Sequence, residues 1–127
     1  MSVRTTLAAL ALDAVLVTLF TAIGRASHDE SPIVGLWITA WPFLSALAVA
    51  WIVTLAWRAP AAPWRTGIPV WLITVAGGML LRAVSGQGIA LPFVIVATLV
   101  LLLFLVGWRL IALFVSKARA STPKDAA

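Results

Sequence analysis

The chain has 127 residues, of which 63% are hydrophobic and only 10% charged, with a net charge of +5 and no cysteine. A soluble domain carries about a quarter charged residues to keep its surface hydrated, so this composition excludes one, and a mean hydropathy of +1.11 makes lipid the solvent for most of the surface. The absence of cysteine removes disulfides, thiolate metal sites and cysteine nucleophiles, and cations placed at the ends of apolar runs argue for membrane topology and against a nucleic-acid partner.

Taken in order, the first apolar segment runs over about residues 5–24, close to the roughly 20 residues that cross a hydrocarbon core. Arg4 ahead of it and small residues near Ala26 resemble a signal peptide, but the segment is longer than a signal core and is broken by Asp13. It therefore reads as a retained helix. The polar stretch Gly24–Pro32 follows and holds the single histidine, His28. The second segment, about 34–57, carries Pro42, and a linker with Pro60, Pro63 and Gly67 reads as a stiff loop. The third, about 68–84, is short and interrupted by Gly77-Gly78; Ser85–Gly88 then make a polar turn. The fourth starts near residue 89, contains Pro92 and runs to 109 or beyond. This divides the chain into a four-span transmembrane domain, 1–115, and a polar tail, 116–127, with a composition typical of disorder.

Four spans put both termini and the middle loop on one side. That side holds Arg4, Arg58, Arg65, Arg109, Lys117, Arg119 and Lys124, against Arg25 and Arg82 on the other. The positive-inside rule then predicts cytoplasmic termini in the cell membrane. Most tryptophans fall near the two interfaces; Trp51 is too deep for an interfacial belt and suits a helix contact.

The halves resemble one another. Ala40-Trp41-Pro42-Phe43 and Ala90-Leu91-Pro92-Phe93 open the second and fourth segments, Trp57-Arg58 and Trp108-Arg109 close them, and Thr18 with Arg25 matches Thr74 with Arg82. The fold expected is an all-α four-helix membrane bundle of two parallel helical-hairpin repeats, related by a pseudo-two-fold axis along the membrane normal.

Asp13, Gly24-Arg25…His28, Trp41-Pro42-Phe43, Trp71…Thr74…Gly78–Arg82, Gly86-Gln87-Gly88 and Gly107-Trp108-Arg109 together resemble a small, mainly actinobacterial membrane family, domain of unknown function 3054. The resemblance covers nearly all of the chain except the tail. It implies a four-helix integral membrane protein and no assigned activity.

Few residues can carry chemistry. Asp13 lies about 13 Å along the first helix from Arg4, where a lone carboxylate costs roughly 3 kcal/mol. It reads either as an intramembrane proton or ion site or as a structural partner of Thr54, Thr74 or Arg109, although the repeat aligns Arg109 with interfacial Arg58. Arg25 and Arg82, with Gln87, His28 and Asp29 nearby, form a candidate site for an anionic small molecule or lipid head group. The competing reading is anchoring at helix ends. Thr74, Gly77 and Gly78 suit close helix packing or pore backbone. One histidine and the neighbouring acids make neither a metal site nor a catalytic triad, so no catalytic, metal or cofactor residue is expected and the chain is not expected to be an enzyme. The functions expected are a small permease or channel-like protein acting as a homo-oligomer or, alternatively, an accessory subunit of a larger envelope complex.

Overall fold

The computed structural model describes residues 2–121. Within them lie four helices long and apolar enough to cross a membrane: α1 (Val3–Ser27), α2 (Leu36–Val53), α3 (Pro63–Val84) and α4 (Leu91–Ser121). Local chemistry sets their ends. The Ser2 hydroxyl caps α1 by accepting from the Thr5 N–H at 3.1 Å. Pro63 and Pro92 open α3 and α4, where a first-turn residue has no intrahelical N–H bond to lose. Asp29, at φ 59°, turns the chain after α1, and Gly86, at φ 79°, after α3.

The helices form a ring in which α1 packs on α2 and α4, and α3 packs on the same two. The α2–α3 seam is the closest because its facing residues are small. A Cβ added to Gly77 would sit 2.9 Å from the Ala46 Cβ, and one added to Gly78 would enter the Phe43 ring. Val17, Phe43, Ala50, Val70, Leu101 and Leu105 fill the centre and are fully buried. The outward faces are apolar too: Val49, Ile52, Leu80, Leu99 and Leu103 are all more than half exposed. Apolar residues on every face are the pattern of helices long and apolar enough to cross a membrane.

Three stretches depart from the expected layout. First, α2 stops at Val53, short of residue 57. Leu55 takes a left-handed φ of 53°, and the Arg65 guanidinium caps the freed carbonyls of Thr54 at 3.3 Å and Leu55 at 3.4 Å. Second, the following linker is packed inward. Pro60, Pro63, Thr66 and Gly67 are buried, and the Thr66 hydroxyl donates to the Ala59 carbonyl at 2.6 Å. Third, α4 continues through Ser121, so residues 116–121, expected as disordered tail, are helical; the rest of the expected tail, 122–127, lies outside the described residues.

Both long distal helices contain a wide π turn, at Pro63–Gly67 in α3 and at Leu102–Val106 in α4. The second one has a visible purpose. Ala97, Leu101, Leu105 and Arg109 are all 0% exposed and recur every fourth residue. On a regular helix such a row drifts by about 40° per step. The wider turn takes up that drift and keeps Arg109 on the inward face.

Candidate functional site

Asp13 shares one face of α1 with Ala9, Val17 and Phe20, the helical spacing that points a side chain at the core. It is completely buried, and four N–H groups converge on its carboxylate. Arg109 grips it with both terminal nitrogens, Nη1 to Oδ1 at 2.9 Å and Nη2 to Oδ2 at 2.7 Å. The Trp51 indole N–H donates to Oδ2 at 2.9 Å and that of Trp108 to Oδ1 at 2.7 Å. Arg109 is satisfied in turn: Nε donates to the Pro60 carbonyl and Nη1 to the Leu105 carbonyl, both at 2.8 Å. Its guanidinium also lies 4.5 Å over the Trp108 ring.

This clasp joins α1, α2, α4 and the α2–α3 linker at one point. Two charges removed from water carry a large desolvation cost, which a bidentate pair with every oxygen hydrogen-bonded offsets. Of the three partners left open by the sequence, Arg109 is the one used. The Thr54 hydroxyl instead donates to the Ala50 carbonyl at 2.7 Å. Among the described residues the buried Thr74 hydroxyl has no hydrogen-bond partner, Asp13 included. Trp51 supplies the helix contact that its depth suggested. Changing Trp51 to phenylalanine removes one charge-assisted donor and leaves the rest of the packing. It is expected to lower stability by about 1.5–3 kcal/mol, measured by chemical unfolding in detergent against wild type.

At the opposite end of the bundle a cavity of about 420 Å³ opens between the α1–α2 and α3–α4 turns. Arg25, His28, Arg82 and Gln87 line it, joined by Glu30; Asp29 does not. Phe20 and Phe93 form apolar wall, and buried Phe43 stands behind both, with ring centroids 5.5 and 6.1 Å away. The three rings form one aromatic cluster. Thr74, Gly77 and Gly78 are not among its lining residues; the two glycines belong to the α2–α3 seam.

Both arginines are held by the turn that follows their own helix. Arg25 Nε donates to the Ser31 carbonyl at 2.7 Å, and Arg82 Nε to the Gly88 carbonyl at 3.1 Å, each six residues further on. Arg25 also donates to the Val34 carbonyl and the Thr39 hydroxyl, and forms an ion pair with Glu30 at 3.1 Å. Arg82 reaches the Gln87 side-chain and main-chain oxygens at 3.3 and 3.2 Å and lies 4.3 Å from the Phe93 ring centre. Anchoring and a cavity-facing position are thus combined in the same side chains. Glu30, read from sequence with Asp29 as a loop acid able to neutralise the arginines, is the one that pairs with Arg25, whereas Thr39 escaped the sequence reading because its role depends on where the loop folds back.

The model of the family described as "Protein of unknown function (DUF3054)" matches residues 10–112, a stretch that includes the clasp and the vestibule arginines. No curated protein and no solved structure matches the chain.

Proposed function

The chain belongs to the DUF3054 family of proteins of unknown function, and we propose that it is a small permease-like protein of the cytoplasmic membrane, working as a homo-oligomer. In this reading the four apolar helices cross the bilayer, the termini and inner linker face the cytoplasm, and the arginine vestibule faces outward. The proposal follows the lysine and arginine distribution. The matched arginine turns at the ends of α1 and α3 support a duplicated hairpin as the origin of the bundle.

The observation that carries the reading is the vestibule itself: a cavity of about 420 Å³ with two arginines and two aromatic rings in its lining. A solute entering it meets fixed positive charge and an apolar wall. The aromatic cluster and the Asp13–Arg109 clasp fill the interior of one copy, which is why passage calls for a second copy or for an opened state. Purified protein in proteoliposomes is expected to carry small anions, with flux lowered by Arg82→Gln. Absence of flux for protons, cations and anions alike would overturn the proposal.

A second reading, an accessory subunit of an envelope complex, is favoured by that same filled interior together with the apolar outer faces. Crosslinking in native membranes followed by mass spectrometry separates the two. Recovery of self-crosslinks alone supports the homo-oligomer, and reproducible links to other membrane proteins support the subunit.

A further inference from the structure

We infer that the vestibule binds a monoanionic oxyanion carried on an apolar chain, held between Arg82 and Arg25, with Glu30 as the resident carboxylate that the ligand displaces. This deepens the permease-like reading and rests on the vestibule assigned there.

The charges around the cavity are unequal. Among the described residues the ion pairs are Arg25–Glu30 and Arg109–Asp13. Arg82 is half-buried, and its guanidinium donates hydrogen bonds to neutral oxygens, those of Gln87 and Gly88, and lies over the face of Phe93, while Glu30 acts on it only through space. Each of its terminal nitrogens has one such bond and keeps a further N–H. Two arginines and one glutamate on the lining leave one positive charge over, which sets the charge of the ligand.

The Arg25–Glu30 pair is lopsided. The Arg25 side chain is 15% exposed and tied down by three further bonds, while that of Glu30 is 56% exposed. An ion pair this open to water contributes little, so Glu30 swings out cheaply and its place on Arg25 becomes available. Neither guanidinium has to move, because the turn carbonyls already fix both; the ordering cost of binding is met in the free protein. The apolar part of the lining includes Phe20, Ile38 and Phe93. A small hydrated anion gains nothing from that surface, whereas an alkyl or acyl chain does. A carboxylate with an acyl chain and the phosphodiester of an anionic lipid share this chemistry.

The test is calorimetric titration of the purified full-length protein in zwitterionic nanodiscs with hexanoate, acetate and inorganic phosphate. Hexanoate is expected to bind saturably, at least about tenfold more tightly than acetate, since the added methylenes are buried. Arg82→Gln should weaken hexanoate by about tenfold, the loss of a charge-assisted contact. Glu30→Gln, which leaves the Arg82 turn untouched, should strengthen it by about threefold through removal of the competitor. Nanodiscs containing phosphatidylglycerol distinguish the sources: competition with hexanoate assigns the site to a lipid head group, and unchanged affinity assigns it to a soluble solute. Equal affinity for acetate and hexanoate, or no change with Glu30→Gln, overturns the inference even if Arg82→Gln fails to fold. Binding without flux leaves this site standing and removes the permease reading; flux without saturable hexanoate binding does the reverse.

Discussion

Replacing Asp13 by alanine is expected to lower stability by about 3–5 kcal/mol, because it leaves the Arg109 charge buried without its counter-charge. Both residues are 0% exposed, so neither can recover water by a small side-chain movement. Trp51 and Trp108 would lose their acceptor at the same time. Arg109→Ala should cost a similar amount, for the mirror-image reason. The double change Asp13→Leu with Arg109→Met removes both charges and the desolvation burden together, and should recover most of the loss. Equilibrium unfolding in mixed detergent micelles measures the wild type and these three variants. Wild-type stability in Asp13→Ala would show that the clasp does not hold the bundle. The double variant also separates structure from transport: normal stability with abolished flux would assign the pair a part in transport, and normal flux would make it purely a structural tie.

The second large effect is expected at the α2–α3 seam. Gly78→Ala places a methyl group inside the Phe43 ring, and Phe43 is itself 0% exposed and wedged against Phe20 and Phe93. The ring cannot swing toward solvent, so the helices must part, at a cost of about 1–3 kcal/mol. Gly77→Ala meets the Ala46 Cβ at 2.9 Å and its Cα at 3.7 Å; the helix must shift there too, but the overlap is shallower than at Gly78 and should cost less. Combining Gly78→Ala with Phe43→Leu should return part of the loss, because the smaller side chain vacates the space. A thermal unfolding series over these variants tests the order. Gly78→Ala unfolding at the wild-type temperature would show that the seam is looser than its packing implies.

Much of this architecture can be read from composition and spacing. Four apolar runs, their proline and glycine boundaries and the depth of Asp13 are local properties of the chain, and each lies in a helix close to its expected place. The two arginine turns were also legible, because an arginine at a helix end followed by a polar loop is a local pattern. The clasp was not. Arg109 lies 96 residues from Asp13, and its resemblance to Arg58 in the other half marked it as interfacial. Arg58 is indeed exposed; Arg109 is turned inward by a wide helical turn for which Arg58 has no equivalent in α2. Glu30 could be seen in the loop, but its pairing with Arg25 depends on the turn geometry.

The separation of the clasp partners bears on how the protein is made. At about 5–20 residues per second, Arg109 leaves the ribosome roughly 5–20 s after Asp13. In the membrane-spanning reading, α1 therefore enters the bilayer with its carboxylate before its cation exists. Trp51, only 38 residues away, is the earliest side chain able to meet it, and the α1–α2 hairpin is the first assembly in which that can happen. Every chain passes through an interval in which biogenesis depends on an indole, and α4 ends that interval by arriving last. Ribosome-stalled chains halted before α4 should consequently be the form most exposed to quality-control proteases.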